Sequence, residues 1–455
     1  MSFPAGFIWG AASASYQIEG AANDDGKGLS VWDVMCRKPG AIWCNQNGDV
    51  ACNHYNLYKK DIALMKTLGL MSYRFSISWP RVFPNGIGAV NKKGLDFYSR
   101  IVDELLEKGI IPFVTLFHWD YPYELYCKGG WLNSQSPNWF SKYVETVVRV
   151  LGDRVEYWLT MNEPQCFIGL GHLEGKHAPG DKLGNAEVLR AGHNALLAHG
   201  KAVQIIRGCS KRKANIGFAP AGVVKIPVNN HQKDIDAARN LMFSIRTKQY
   251  WNNTWWMDPV YLGKYPEDGL KMYEDELPPF SSEDLSIISQ PLDFFGVNIY
   301  QGEKVFVNQD GIPDEIANNS DHRFTAFDWP VSPECLYWGP KFFYERYKKP
   351  IFITENGMAN IDWVMLDNRV HDPQRIDFLA RYFREMKRAI ADNIDIRAYF
   401  HWSLTDNFEW AEGFKKRFGL IYVDYNSQTR IIKDSGFWYQ NVIKSNGVDL
   451  GFSSI

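Results

Sequence analysis

The chain has 455 residues, of which 45% are hydrophobic and 22% are charged, and its formal net charge is −2. These values are typical of a folded globular protein and argue against partners such as nucleic acid, and no run of 18 apolar residues predicts a membrane span. Aromatic residues make up 15% of the chain, which a large aromatic core explains most simply, although aromatic rings also bind the apolar faces of sugars.

Short apolar runs alternate with amphipathic stretches along the chain, and this alternation predicts eight β-strands separated by helices. The predicted strands, in chain order, are 6–13, 72–79, 110–119, 155–163, 214–220, 293–300, 351–356 and 397–404. Helical patterns lie between them, for example at 54–69, 94–109 and 375–393.

This order of elements predicts parallel β/α units, which form either a closed barrel or an open doubly wound sheet. An open sheet usually carries a glycine-rich phosphate turn after its first strand, and the chain has none there. We therefore predict an α/β fold, a single (β/α)8 TIM barrel that spans residues 1–455 as one domain. Long βα-loop insertions are expected near 301–345 and 405–430.

The seven cysteines form no C-x-x-C pair, and only His54 lies near Cys36, Cys44 and Cys52. This pattern does not match a zinc site, so we expect no metal and no cofactor. Free thiols indicate a reducing compartment. Because the first residues also lack the pattern of a signal peptide, we predict a cytoplasmic protein.

Most of the predicted strands end in polar or aromatic side chains. In a (β/α)8 barrel the carboxyl ends of all strands meet at one face, where functional residues collect. We therefore expect a pocket formed by Gln17, Glu19, Arg74, His118, Trp119, Asn162, Glu163, Asn298, Tyr300, Glu355, Asn356, His401 and Trp402.

Glu163 and Glu355 are the candidate catalytic pair of this pocket. Hydrolysis of a glycosidic bond needs two carboxyl groups: one protonates the leaving oxygen, and the other attacks the anomeric carbon or activates water. The apolar YWLTM segment before Glu163 is expected to raise its pKa, and Arg74 and Tyr300 are expected to keep Glu355 ionised. Either glutamate alone would be interpreted as a strand-end ion pair, but their matching positions favour catalysis.

Seven motifs occur in order along the chain: FIWGAASASYQIEG, YRFSISWPRVFP, VTLFHWDYP, LTMNEP, FFGVNIY, ITENG and HWSLTDNFEWAEGFKKRFGLIYVD. Together they resemble the β-glucosidases of glycoside hydrolase family 1 over the whole chain. The resemblance implies a single (β/α)8 barrel catalytic domain and a retaining mechanism. It also implies small-molecule partners, namely β-glucosides and cello-oligosaccharides, and a role in cellulose degradation.

The resemblance further implies roles for single residues. Glu163 would be the general acid/base and Glu355 the nucleophile, supported by Arg74 and Tyr300. Asn162 would bind the sugar 2-hydroxyl. The implied substrate-binding residues are Gln17, His118, Trp119, Asn162, Asn298, Trp329, Trp402, Glu409, Trp410 and Phe418, with Trp329 beneath the aglycone and Phe418 near the sugar 6-hydroxyl.

Single positions also indicate the substrate class. Thioglucosidases of the family carry Gln in place of the acid/base, so Glu163 favours O-glycosides. The 6-phospho-glycosidases carry Ser where this chain has Glu409, and a downstream Tyr where it has Phe418, so a neutral hexose is expected although Lys416 is present. Because Glu409 and Gln17 can bond either epimer at the 4-hydroxyl, galactosides and fucosides are further candidate substrates.

The chain departs from the family pattern at several positions. Gln165-Cys166 follows the NEP motif, where Trp is frequent at the first position, and Pro330 follows Trp329, where Glu is common. NIY stands where NYY is usual, and the segment 171–180 carries charges near the expected entrance. None is expected to touch the two glutamates, so these departures bear on aglycone preference and inhibition by glucose.

Two other functions remain open from the sequence. A transglycosylase would use the same two carboxyl groups to pass the glucosyl unit to an alcohol. A non-catalytic sugar-binding relative would have lost one of the glutamates, and this chain retains both. The sequence carries no signal for the oligomeric state.

Overall fold

The computed structural model describes residues 2–316 and 323–451, and within these ranges eight parallel strands form a barrel. Its strands are β1 (Ile8–Ala12), β2 (Ser72–Ser76), β3 (Ile111–Thr115), β4 (Tyr157–Asn162), β5 (Asn215–Ala219), β6 (Phe295–Asn298), β7 (Ile351–Asn356) and β8 (Ile396–Trp402). Backbone hydrogen bonds from Asp293 to Ile216 and from Asn298 to Pro220 close the barrel between β5 and β6. The predicted (β/α)8 fold is confirmed.

Helices connect the strands and surround the barrel. The three helices that the sequence analysis gave as examples are present at His54–Thr67, Lys92–Glu107 and Pro373–Ala391. The other α-helices are Ser15–Ile18, Val31–Met35, Trp79–Val82, Tyr123–Tyr126, Ser136–Leu151, Asn185–Cys209, Gln232–Met242, Thr254–Leu262, Glu267–Met272, Ser282–Ile288, Cys335–Tyr347 and Asp434–Lys444. A π-helix covers Gln165–Leu173, and short 3₁₀ helices cover Trp43–Asn45, Gly130–Leu132, Glu274–Glu276 and Trp410–Glu412.

Aromatic rings fill the interior of the barrel. Phe113 lies 4.8 Å from Phe400 and 6.0 Å from Phe352 between ring centroids, and Phe294 stacks on Phe352 at 4.3 Å. All four side chains are buried. The simple explanation of the aromatic content, a large core, therefore accounts for part of it, and a second set of rings lines the candidate site.

Two insertions extend the barrel at the carboxyl ends of its strands. After β6, the strands Gly302–Val307 and Pro313–Glu315 join Val224–Pro227 in a three-stranded sheet. The predicted end of this insertion at 345 is too late because the helix Cys335–Tyr347 already begins within it, and its residues 317–322 lie outside the described residues. After β8, Ile421–Val423 pairs antiparallel with Arg430–Ile432.

No helix among the described residues is both long and apolar enough to cross a membrane.

Candidate active site

Glu163 and Glu355 lie at the carboxyl ends of β4 and β7, and a register irregularity precedes each of them. The pairing of β4 with β5 shifts between Leu159 and Asn162, and that of β7 with β6 shifts between Ile353 and Glu355. Such bulges re-aim the side chains beside them. Glu163 also has a φ of 43°, which a residue with a side chain rarely adopts. Both side chains line one cavity.

Glu355 is held by two strong donors. Arg74 Nη1, on β2, donates to Oε1 at 2.6 Å, and the Tyr300 hydroxyl donates to Oε2 at 2.7 Å. Burial raises the pKa of Glu355, whereas the Arg74 cation and the Tyr300 hydrogen bond act against that rise. The structure therefore brings together the three side chains paired in the sequence analysis, and burial opposes their effect on ionisation.

Glu163 has neutral donors on both of its carboxyl oxygens. Asn298 Nδ2 donates to Oε1 at 2.8 Å, and the Cys166 thiol donates to Oε2 at 3.1 Å. Burial, strengthened by the charge of Glu355, raises the pKa of Glu163 to about 7. The raised pKa of Glu163 agrees with the prediction, but the Glu355 carboxylate contributes to the rise as well as the apolar surroundings.

A network of amides joins the two carboxyl groups. Arg74 Nη2 donates to Asn162 Oδ1 at 2.6 Å, and Asn298 Nδ2 donates to the same oxygen at 2.9 Å. Asn162 Nδ2 lies 3.1 Å from His118 Nε2. Burial and the nearby Arg74 cation hold the pKa of His118 well below its usual range, so this neutral imidazole nitrogen accepts. One set of contacts thus fixes Glu355 and Glu163 together.

The two glutamates line a cavity of about 1100 Å³. This volume exceeds that of one hexose and leaves room for a second group beside it. Eleven of the predicted site residues line the cavity: His118, Trp119, Glu163, Asn298, Tyr300, Trp329, Glu355, Trp402, Glu409, Trp410 and Phe418. The other three, Gln17, Arg74 and Asn162, are fully buried behind that lining and contact it by hydrogen bonds.

One end of the cavity is polar. Gln17 Nε2 donates to Glu409 Oε2 at 3.3 Å and to the Phe408 carbonyl at 2.9 Å, and Gln17 Oε1 is buried without a hydrogen-bond partner in the described part of the chain. Burial, with the charge of Glu355, raises the pKa of Glu409 to about 8. A buried unpaired acceptor costs free energy until a ligand supplies a donor, so this end suits a ligand rich in hydroxyl groups.

Aromatic rings form the rest of the cavity wall. Trp119 and Trp410 lie 4.6 Å apart, and Trp329 lies 5.1 Å from Tyr300 and 6.2 Å from Phe418. Trp119 and Trp410 have φ angles of 79° and 50°. Such backbone conformations cost about 1–3 kcal/mol each and persist where the surrounding structure holds a functional side chain in place.

The two residues after the NEP motif contact functional groups, so the expectation that no departure touches a glutamate was wrong. Cys166 donates to Glu163 through its thiol. Gln165 forms a reciprocal pair with the Ala221 backbone, at 3.0 and 3.2 Å, and Ala221 lines the cavity. The spacing was an available signal, because side chains three residues apart in a helical turn face each other.

Three further residues expected in the pocket, Glu19, Asn356 and His401, do not line it. Glu19 accepts a hydrogen bond from Arg81 Nε at 2.8 Å in a buried ion pair. The His401 imidazole is fully buried, with Nε2 3.2 Å from the Phe418 carbonyl. The Asn356 amide is also fully buried, and its Nδ2 donates to the Ile299 carbonyl at 2.7 Å. These three side chains therefore connect neighbouring segments of the fold and do not form the pocket wall.

In residues 2–316 and 323–451, no group of three or more His, Cys, Asp or Glu side chains could hold a metal ion.

Comparisons with known proteins agree with this geometry. The sequence model of glycosyl hydrolase family 1 matches residues 1–448. The chain is 45% identical to a β-glucosidase A of Thermotoga maritima, over 98% of this chain and 99% of that protein, and 44% identical to a 1,4-β-D-glucan glucohydrolase of Thermotoga neapolitana, over the same shares. Among solved structures, the Thermotoga maritima β-glucosidase in complex with glucoimidazole superimposes with a TM-score of 0.90 at 45% identity, covering 98% of this chain and 100% of that one.

Proposed function

Because the chain belongs to glycosyl hydrolase family 1, we propose that it is a retaining β-glucosidase that releases terminal β-D-glucosyl residues from oligosaccharides and from alkyl or aryl glucosides. The observation that carries the proposal is the unequal environment of its two buried carboxyl groups. Glu355 contacts a cation, and Glu163 contacts only neutral donors. Such a difference separates a nucleophile from an acid.

In the first step, a Glu355 carboxylate oxygen attacks the anomeric carbon. The bond from that carbon to the leaving oxygen breaks, and Glu163 gives its proton to the leaving oxygen. The products are a glucosyl ester on Glu355 and the free aglycone. Arg74 and Tyr300 orient the attacking carboxylate through the hydrogen bonds described above.

In the second step, Glu163, now a carboxylate, takes a proton from a water molecule. The water oxygen attacks the anomeric carbon, the ester bond breaks, and β-glucose leaves. Two inversions give net retention. The Asn162 amide, joined to Arg74 and Asn298, is assigned to the sugar 2-hydroxyl, where its contact strengthens in the transition state.

The polar end of the cavity is assigned to the glucosyl unit. Gln17, His118, Trp402 and Glu409 take its hydroxyl groups, and the rings of Trp119, Trp410 and Phe418 enclose it. Trp329 is assigned to the aglycone. The substrates are therefore O-glycosides such as cello-oligosaccharides, which gives the enzyme a place in cellulose degradation.

The hexose is neutral rather than phosphorylated. Glu409 stands where the resemblance implies Ser in the 6-phospho-glycosidases, and its carboxyl group offers no positive charge to a phosphate. Lys416 does not compensate, because its ammonium donates to the Ala326 carbonyl and lies over the Phe327 ring at 5.3 Å. Galactosides and fucosides remain within the proposed range because Gln17 and Glu409 offer both donors and acceptors to either 4-hydroxyl epimer.

Transglycosylation is a second candidate activity. The part of the cavity near Trp329 is aromatic and large enough to seat an alcohol beside the glucosyl unit. An alcohol would then replace water in the second step. The ratio of alkyl glucoside to glucose, measured by chromatography at increasing concentrations of a primary alcohol, tests this activity.

A reducing compartment is also proposed. All seven cysteines, each within the described residues, are free thiols, and four of them are buried. Such a set persists most readily in the cytoplasm.

The experiment for the main proposal replaces the nucleophile. Glu355→Ala is expected to lower turnover of an aryl β-glucoside by a factor of about 10³ or more. Added azide would then attack directly and give α-glucosyl azide with partial recovery of the rate. Activity that survives without azide, or an azide product of β configuration, would contradict the assignment of Glu355.

A further inference from the structure

The Cys166 thiol is the unexpected partner of the acid/base carboxyl group. Cys166 lies at the start of the helix Gln165–Leu173, and its backbone N–H donates to the Glu163 carbonyl at 3.0 Å. This turn brings its Sγ to 3.1 Å from Glu163 Oε2. The side chain is buried and also lines the cavity.

The thiol is the donor in this contact. Burial, together with the charge of Glu163, raises the pKa of Cys166 well above its usual value, so the sulfur keeps its proton. A carboxylate can only accept, and a protonated thiol is a weak donor. The contact therefore favours the ionised form of Glu163 over its protonated form.

The two oxygens of Glu163 are held differently. Asn298 Nδ2 serves Oε1 but also donates to Asn162, so its position is fixed by the amide network. Oε2 is held by Cys166, which comes from the wall of the cavity beside Leu170 and Ala221. The thiol thus fixes the second carboxyl oxygen of Glu163, while the amide network fixes the first.

We propose that Cys166 is a positioning residue for proton transfer: its thiol holds Oε2 of Glu163 and stabilises the carboxylate that is left when the proton has gone to the departing oxygen. The proposal rests on the proposed function, since it concerns the same acid/base. If Cys166 only filled space, its substitution would lower the rate equally for all substrates. In the proposed role, the substitution lowers the rate most for substrates whose leaving group must be protonated to depart.

Three variants distinguish the loss of the hydrogen-bond donor from the loss of side-chain volume. Cys166→Ala removes the donor, and Cys166→Ser restores one of similar size. Cys335→Ala is the matched control, because Cys335 is a buried thiol that lies outside the cavity lining. Melting temperatures of all three show whether each variant folds. If Cys166→Ala is unstable, Cys166→Val takes its place, because it removes the donor without leaving a cavity.

The experiment measures kcat/KM for aryl β-glucosides whose leaving phenols range from activated dinitrophenol to unactivated phenol. In Cys166→Ala, kcat/KM is expected to fall about three- to tenfold for the poor leaving groups and less than twofold for dinitrophenol. The larger fall corresponds to the loss of one weak hydrogen bond in the proton-transfer step. Cys166→Ser and Cys335→Ala are expected to follow the unsubstituted protein. An equal loss for all leaving groups, or no loss, would overturn the proposal.

The pH profile supplies a second readout. Loss of a donor to the carboxylate raises the pKa of Glu163. The midpoint of the basic limb of kcat/KM is therefore expected to shift to higher pH by about 0.5 unit in Cys166→Ala and to have its original value in Cys166→Ser. An unmoved or lowered limb in Cys166→Ala would count against the thiol. If the unsubstituted protein releases no dinitrophenol from its glucoside, the proposed function itself fails, which separates the two results.

Discussion

Three buried carboxyl groups line one cavity, and their immediate partners make them chemically different. Burial raises the pKa of Glu163, Glu355 and Glu409 alike. Only Glu355 has a guanidinium in contact, at 2.6 Å from Arg74. In the proposed mechanism, the attacking residue is thus the one whose charge is compensated by a cation, and the residue that gives a proton is one without such a cation.

The pKa of Glu163 sets the expected pH dependence. In the proposed mechanism Glu163 holds its proton in the first step, and its pKa is raised to about 7, so kcat/KM should fall as pH rises through 7. Glu163→Gln should lower kcat/KM for an unactivated aryl glucoside by about 10²–10⁴ and remove this basic limb. Initial rates between pH 5 and 9 check both effects. A limb with an unchanged midpoint in Glu163→Gln would show that another group controls it.

Glu409 should make stability depend on pH. The pKa of Glu409 in the folded protein, about 8, lies above its ordinary value, so folding favours the protonated form. The stability that Glu409 contributes is therefore fully present below the pKa of the unfolded chain and is lost as pH rises through 8. Glu409→Gln should therefore raise the melting temperature by roughly 1–3 °C at pH 9 relative to the unsubstituted protein and gain less at pH 5. Calorimetry at both pH values checks this, and a gain that is equal at the two would mean that ionisation is not the cause.

Sequence reasoning at the residue scale succeeded where a single strand end fixes the direction of a side chain. Glu163, Glu355 and Trp402 are examples, since each stands at or beside the end of a barrel strand and lines the cavity. It failed for Cys166, although the position of this residue three places after Glu163 was an available signal. It also failed for Glu19, whose partner Arg81 lies in the helix Trp79–Val82 after β2.

At the scale of elements, strand positions were predictable and strand irregularities were not. The eight apolar runs identified β1 to β8 because each is buried almost throughout and bounded by polar residues. The bulges of β4 and β7 arise from how each strand pairs with its neighbour, which no local pattern encodes. The three-stranded sheet beside the barrel was missed for the same reason, since it joins 224–227 to 302–315.

Gly357, just after β7, allows the backbone to pass close to Trp402 at the end of β8. A Cβ at this position would lie 1.9 Å from the Trp402 carbonyl oxygen, so the glycine after Glu355-Asn356 is required by contact rather than by a left-handed turn. Gly357→Ala should separate the ends of the two strands and lower both kcat and the melting temperature. Activity assays and calorimetry check this.

Gly208→Ala is the matched control for that change. Gly208 lies in the helix Asn185–Cys209, and nothing lies within 4 Å of a Cβ built there. This variant should keep full activity and be slightly more stable, because alanine favours the helix over glycine by about 1 kcal/mol. If both glycine variants behave alike, close packing against Trp402 is not the reason for Gly357.

At the scale of the whole molecule, a buried ion network joins segments that are far apart in the chain. Lys433 Nζ donates to Asp362 and to Asp406, each at 2.6 Å, and Arg375 donates to Asp362 at 2.8 Å. All four side chains are buried. The network ties the insertion after β8, which carries Glu409, to the rest of the barrel, and we propose that residues 1–455 unfold as one domain.

Lys433→Met tests this network. It removes the charge but keeps an apolar stem, and it leaves two buried aspartates without their shared cation, which should cost about 3–5 kcal/mol of unfolding free energy. Chemical denaturation measures the loss. Lys93→Met, at an exposed ion pair with Asp25, is the control and should leave the denaturation midpoint unchanged. Equal midpoints for the two variants would contradict a structural role of the network.

The central claim, double displacement by Glu355 and Glu163, is tested most directly by the anomeric configuration of the first glucose released. Proton NMR during the first minutes of hydrolysis of an aryl β-glucoside distinguishes the two anomers before they interconvert. We predict that β-glucose appears first and that α-glucose grows only later by mutarotation. Initial release of α-glucose would mean direct attack by water and would contradict the account.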